Sequence, residues 1–363
     1  MNRFLSDIVR IWQLRWAFRL ALIYLFLFLL LVILLPWLPL SFQPNDLDLG
    51  QAFQPPFQWA NVTSATPLHW LGTDALGRDV LSNTLFGART AVLISLPVML
   101  ATTVIGLVLG TAAGFYADSS GKISRASFSG ILLSVPVFLY FGMYVPSQAF
   151  LLKLPPAVLL LSMGIAILAP FILMKVLVPA LKRATFFTKQ VPFPADQVVL
   201  RLIEVFTSIP RLVIILVLAS FMPPSVVLLS FILVLTYWTD TARLTRAETL
   251  RVKQLPYFEA AVSAGASTGG LLMRHALPNI LAPVIVSFIF GLAGLLALES
   301  TLSFLGIGVP AELVSWGRTI AGIRANTSAW WLVVFPGGFL ALTVLALQTC
   351  SYYILNAMQH HSP

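Results

Sequence analysis

Histidine and cysteine, the residue types that most often do chemistry, are scarce in this chain. The four histidines are His69, His275, His360 and His361, and the single cysteine, Cys350, can form neither an internal disulfide nor a thiolate cluster. His360 and His361 are adjacent, but a tail pair without carboxylate or cysteine company rarely holds a metal ion. No Gly-x-x-x-x-Gly-Lys-Ser/Thr phosphate loop is present, and no Ser/His/Asp set or metal-binding helix stands out. The expectation is a chain that is not an enzyme, with no catalytic, cofactor-binding or metal-binding residues of its own. What remains are residues suited to gripping other molecules.

The most informative stretch of this kind runs from Pro256 through Phe258, Glu259, Ala260, Ala261 and Val262 to Gly265, and on to His275, Leu277, Pro278 and Asn279. Its first part reads as a short helix with Phe258 and Val262 on one face at spacing four. Ala260 and Ala261 keep that helix thin, so another protein surface could approach its backbone, and Glu259 offers a charge to a basic groove. Gly265 can end the helix in a left-handed cap, Ser267 or Thr268 can cap a second short helix, and Pro278 marks the entry to the next long segment. A second stretch contains Gly72, Thr73, Asp74, Gly77, Arg78 and Asp79. Here Thr73 or Asp74 could cap a helix lying on the membrane surface, with Val80, Leu81, Leu85 and Ala88 on its apolar side and Asp74 paired with Arg78. Its role is open between a brace for the next segment and a docking surface. A third stretch, from Glu299 to Gly308 and on to Ser315-Trp316-Gly317, makes Glu299 and Ser303 candidate gate residues, because an ionisable group at the end of an apolar span is costly unless it is used.

These residues must be held by a membrane scaffold. Of 363 residues, 58% are hydrophobic and 10% charged, with a mean hydropathy of +0.92. A soluble domain carries about 25% charged residues, and disorder requires low hydrophobicity. Apolar runs long enough to cross a bilayer predict eight spans, at about 18–40, 88–116, 126–146, 155–178, 198–220, 225–243, 278–299 and 331–355. The net charge of +9 is distributed in clusters between these runs, which orients spans and gives no nucleic-acid footprint. With both termini cytoplasmic, the acidic 41–87 loop falls outside, and the basic clusters around Lys182 and from Arg243 to Arg274 fall inside. The first span reads as an uncleaved anchor, since its apolar run is too long for a signal peptide and no cleavage site follows.

The Glu259-Ala260-Ala261, Gly265 and Leu277-Pro278 pattern resembles the cytoplasmic coupling loop of ABC importer permeases. The Gly72–Asp79 and Glu299–Gly317 stretches are similar to those of the oligopeptide/dipeptide/nickel subfamily, in its second ("C") permease. The resemblance covers roughly 60–117 and 196–350. It implies an all-α, polytopic type I permease core of six spans, in a bacterial inner membrane, that forms the path of an ATP-driven uptake system, with peptides the first expectation and nickel or other solutes as alternatives. It also implies partners: a homologous second permease, two ATPase subunits that bind ATP and Mg, and an extracytoplasmic solute-binding protein, besides membrane lipid. The coupling residues would be Phe258, Glu259, Ala260, Ala261, Val262, Gly265, His275, Leu277 and Pro278.

The chain departs from that family between about 119 and 195, where two additional apolar segments intervene and predict an inserted helical hairpin followed by a cytoplasmic loop. The predicted layout is then 1–17 cytoplasmic, 18–40 first span, 41–87 outer loop with its amphipathic helix, 88–116 span, 119–195 insertion, 196–355 permease core with its coupling loop at 244–277, and 356–363 tail. An ion-gradient-driven transporter and a non-transporting scaffold are the alternatives. The former would predict ionisable residues at mid-membrane and an internal repeat, and no repeat is visible.

Overall fold

The computed structural model describes residues 11–13, 15–57, 68–117, 122–152, 154–192, 195–221, 223–310 and 312–359. The tail histidines 360 and 361 lie outside them. Among the described residues seven helices are long and apolar enough to cross a membrane, and a bent pair makes up to eight. The chain divides into two compact units, residues 1–114 with 199–363, and residues 115–198. The second coincides within a few residues with the predicted insertion.

In the first unit, α1 (Trp16–Leu34) is followed by α2 (Val80–Tyr116), which has 37 residues and runs through Pro97 without a break. At 1.5 Å per residue α2 is about 55 Å long. The span expected at 88–116 therefore begins a full two turns earlier. The next segment, predicted as one span over 198–220, is broken: α7 (Ala195–Thr207) and α8 (Arg211–Ser220) meet at 73°. Pro210 stands at the break, where it disfavours a helical conformation in the residue before it. A short link leads from α8 to α9 (Val226–Lys253), which has 28 residues. The chain then passes through α10 (Pro256–Ser263) and a single turn, α11 (Thr268–Gly270). A π-helical segment, Leu271–Ala276, connects α11 to α12 (Leu277–Phe304). The short α13 (Trp316–Ala321) and the last long helix, α14 (Trp331–Gln359), complete the unit.

The core forms where apolar faces of these helices meet. Ile94, Val98 and Met99 of α2 pack with Ile215 of α8, Leu229 and Leu233 of α9, and Leu295 and Leu302 of α12. A neighbouring cluster joins Phe28 of α1, Ala88 and Ala91 of α2, Leu296 of α12, Trp316 of α13 and Leu347 of α14.

One seam fixes the direction of the bundle. Gly106, Gly110 and Gly114 of α2 recur every four residues, and α9 answers with Thr241, Thr245 and Thr249 at the same spacing. A Cβ on Gly106 would meet Thr241 and Ala242, one on Gly110 would meet Thr245 and Ala242, and one on Gly114 would meet Arg246 and Thr249. Both sets of numbers increase together, so α2 and α9 run parallel. Small residues let the two backbones approach in a medium where apolar burial between helices gives no net drive. The Thr245 hydroxyl donates across the seam to Gly106 O at 2.9 Å.

In the second unit, α3 (Arg125–Leu139) continues through a π-helical segment (Tyr140–Tyr144) into α4 (Val145–Leu151) and returns as α5 (Pro156–Leu181). Short α6 (Thr185–Thr188) follows. Strands β1 (Lys122–Ser124) and β2 (Gln190–Pro192) pair antiparallel, Ile123 opposite Val191, and tie the hairpin's base.

Candidate functional site

Because α2 and α9 are parallel, the two sequence stretches singled out above lie at opposite ends of the first unit. Gly72–Asp79 precedes the start of α2, and Pro256–Asn279 follows the end of α9.

At the α9 end the chain builds a compact elbow. Its first arm, α10, ends in a paired-turn cap: Ala266 N–H donates to Ala261 O at 3.1 Å and Gly265 N–H to Val262 O at 3.0 Å. Gly265 takes φ +76°, the left-handed conformation that favours glycine at this place. Ser267 then caps the second arm, accepting from Gly270 N–H at 3.3 Å. Both caps match the sequence expectation. The second arm differs. It is no separate helix, because helical backbone continues from Thr268 through the π segment to Phe304. His275 and Leu277 are half-buried within this run and Pro278 is exposed. The Asn279 amide donates to His275 O at 2.7 Å, and the His275 and Tyr257 rings are 6.4 Å apart.

Phe258 and Val262 do not share a role. Phe258 is 4% exposed and anchors α10 to the bundle, whereas Val262 is 51% exposed. Glu259 and Ala260 are exposed, Ala261 is half-buried, and Met273 and Arg274 on the second arm are exposed. The outward face is thus Glu259, Ala260, Val262 and the Gly265 turn, and Phe258 is excluded from it. Partial burial holds the Tyr257 phenol above its usual range, with the Arg251 charge opposing.

At the α2 start the expected surface helix is not a separate one: Val80, Leu81, Leu85 and Ala88 lie in the first turns of α2 itself, and 73–79 is not helical. Gly72 and Gly77 take φ +80° and +71°, and the chain between them makes a tight turn closed by a Thr73–Asp79 bridge. A Cβ on Gly77 would fall 1.7 Å from Asp48 O, so the close approach of the 41–57 loop requires glycine there. Asp74 and Arg78 do pair, at 2.6 Å, but across the turn. The other Asp74 oxygen accepts from Leu76 N–H at 2.9 Å and Arg78 N–H at 3.1 Å. Asp79 caps α2 by accepting from Ser82 N–H at 2.7 Å, and its second oxygen lies 3.0 Å from His69 Nδ1. The His69 ring stacks on Phe42 at 3.9 Å. Both carboxylates are buried and committed to these internal bonds, so neither is free for a partner in this conformation.

Two tryptophans, Trp316 of the third sequence stretch and Trp331, which no motif singled out, tie this turn and the start of α2 to the rest of the unit. Trp331 Nε1–H donates to Thr73 O at 2.9 Å, and Trp316 Nε1–H donates to Thr84 O at 2.8 Å. Gly317 packs so tightly on α12 that a Cβ there would lie 1.8 Å from Ser300 O. Next to Ser300, Glu299 is fully buried, and its carboxylate accepts from the Ser303 hydroxyl at 2.7 Å, with the Ser300 hydroxyl at 3.4 Å. The two candidate gate residues are therefore brought together, but inside the packed end of α12 and not on an open path. Arg318, nearby, is held below the usual guanidinium range by burial and then by the Arg78 charge. No group of three or more metal-ligating side chains occurs among the described residues.

The first unit thus carries an exposed elbow at one end and a braced turn at the other, and comparison with known proteins shows the family of such a chain. Residues 184–360 match the family described as "Binding-protein-dependent transport system inner membrane component". A putative peptide transport system permease protein of Brucella suis is 30% identical over 335 residues, covering 92% of this chain and 83% of that one. This chain belongs to that permease family. The oligopeptide transport system permease protein OppC of Escherichia coli is 35% identical over 150 residues, 41% of this chain and 50% of that one. OppC of Bacillus subtilis is 23% identical over 291 residues, 80% and 71% of the two chains. The chain is thus a multi-pass protein of the bacterial inner membrane and a non-catalytic ABC permease subunit, with ATP hydrolysis on separate subunits.

Proposed function

We propose that this chain forms, with a homologous second permease, the membrane path of a peptide uptake system. Two ATPase subunits grip its elbow, and an extracytoplasmic binding protein delivers the substrate. Peptides are the substrate named for the relatives from Brucella suis, Escherichia coli and Bacillus subtilis. The observation that carries the reading is the elbow: a thin, glycine-ended helix whose Glu259, Ala260 and Val262 face outward while Phe258 holds it to the bundle. A surface of small residues with one acidic group fits a groove on another protein. Binding there can shift an inward–outward equilibrium only if the groove holds the elbow differently in the two states. The elbow end faces the cytoplasm in this reading, because Arg243, Arg246, Arg251, Lys253 and Arg274 cluster there. The Gly72–Asp79 turn acts as a brace for α2 and not as a docking surface, since its carboxylates are already satisfied.

The test is cysteine cross-linking in membranes containing the assembled transporter. Val262→Cys is expected to capture an ATPase subunit, and Phe258→Cys to capture none. Absence of any ATPase adduct from Val262→Cys, with the complex intact, would sink the proposal. Labelled peptide uptake that survives ATP depletion but collapses with an ionophore would point to a gradient-driven carrier.

A further inference from the structure

The inserted hairpin carries a charge pattern that the transport reading does not use. The compact unit over 115–198 has seven Lys or Arg and two acidic residues, Asp118 and Asp196, both near its sequence ends, so residues 119–195 carry no Asp or Glu and supply seven of the net nine positive charges. The basic cluster over 243–274 is different, for it includes Glu248 and Glu259, and Glu248 pairs with Arg251 at 3.1 Å. Orientation by positive charge needs no such exclusion of acidic groups.

The fold gathers most of the hairpin's cations at one end. Gly130 on α3 packs against Met174 and Val178 on α5, which sets the start of α3 beside the end of α5. Arg125 N–H donates to Lys189 O at 3.1 Å, and the Arg125 guanidinium lies 4.4 Å over the exposed Phe186 ring. Lys182, Arg183 and Lys189 are exposed, as is Lys175 two turns further up α5. Directly above this end both helices present apolar surface, with Leu132 on α3 and Ile172 and Val176 on α5 more than half exposed. A ligand that satisfies the whole surface is anionic at one end and apolar along its length. We propose that the basic end of the hairpin binds the phosphate headgroup of an anionic phospholipid whose acyl chains lie along α3 and α5. Nucleic acid or an acidic protein would answer the charge but not the apolar flank that begins within two turns of it.

The proposal rests on the hairpin lying in the membrane and is independent of substrate and of ATP coupling. The test uses the full chain in neutral phosphatidylcholine nanodiscs, with added phosphatidylglycerol or further phosphatidylcholine, and counts retained lipid by native mass spectrometry. Wild type is expected to retain phosphatidylglycerol preferentially. K182Q/R183Q/K189Q is expected to weaken that retention about a hundredfold, from the usual contribution of a single cation near an anionic surface. K182R/R183K/K189R should retain it, and R201Q/R243Q, which removes exposed cations outside the hairpin, should leave it unchanged. Equal retention of the two lipids by wild type, equal retention by the triple Gln variant, or displacement of the lipid by a short DNA oligonucleotide would each overturn the proposal.

Discussion

The α2–α9 seam predicts that Gly110 tolerates no side chain, not even a methyl group. In Gly110→Ala the new Cβ would sit 1.9 Å from the Thr245 hydroxyl and 2.3 Å from Ala242 O. The first neighbour can rotate away, but the second is backbone, so the two helices must separate by roughly an ångström. Overpacking of this kind costs about 1–3 kcal/mol. Separation also weakens the Thr245–Gly106 hydrogen bond, worth about 0.6 kcal/mol in a membrane interior. Against this stands a gain of about 0.8–1 kcal/mol from replacing helical glycine by alanine. The net destabilisation is on the order of 2 kcal/mol, which for a chain of this size corresponds to a lowered Tm of about 3 °C. The assay is thermal unfolding of the purified full chain in detergent, followed by tryptophan fluorescence. Gly164→Ala is the internal control, because Gly164 has nothing within 4 Å of a built Cβ and the exchange should be neutral or stabilising. G110A/T245A should recover only part of the loss, since Ala242 O still obstructs. Should Gly110→Ala melt with Gly164→Ala or above wild type, the close parallel contact is not present in the protein.

Asp74→Ala leaves Leu76 N–H, Arg78 N–H and the Arg78 guanidinium without their acceptor, and at about 1 kcal/mol or more for each buried donor it should cost roughly 3 kcal/mol in the same unfolding assay. Gly265→Ala forces a side chain to φ +76° in otherwise open space, so it should cost about 1 kcal/mol locally and show as faster hydrogen exchange over 256–270, with little change in global Tm. Deleting Leu272 should convert the π segment to regular α-helix and turn the elbow by about 100° relative to α12. The chain should still insert and fold, but peptide-stimulated ATPase activity of the reconstituted complex should be lost, and normal stimulation would refute the role given to the elbow.

What could be read from the sequence was chiefly what neighbouring residues decide. The Gly265 and Ser267 caps depend on chemistry within five positions, and both were legible. Five core spans and a two-helix insertion were legible too, because bilayer thickness sets run length, whereas the sixth core segment, read as one span, is bent at Pro210. The Asp74–Arg78 pair was legible as a pair but misplaced on a helix, since spacing four suits a helix and a tight turn equally. Gly72 and Gly77 carried the turn signal, and only the approach of Gln54 to the first and of Asp48 to the second shows why both are needed. Phe258 and Val262 share a helical face in isolation. Only the packing of α10 separates them into a buried anchor and an exposed surface. Contacts between distant positions, such as Trp331 with Thr73 across 258 residues, left no local trace.

The arrangement of the elbow's second arm explains how a push at one end could reach the other. Helical backbone runs 37 residues from Thr268 to Phe304, about 55 Å, without an interruption longer than the π segment. Its far end is not free. Gly317 lies against Ser300 and Phe304 backbone, Trp316 beside it is bonded to Thr84 of α2, and Glu299 is locked to Ser303. A packed contact of that kind resists gradual deformation, so displacement of the rod favours a discrete repacking of the α2, α12 and α13 ends. The α2–α9 backbones are too close to slide past one another without collision, so displacement of the rod would leave that seam in place. In this conformation Glu299 is fully buried and bonded to Ser303, one residue from the Ser300 backbone on which Gly317 packs.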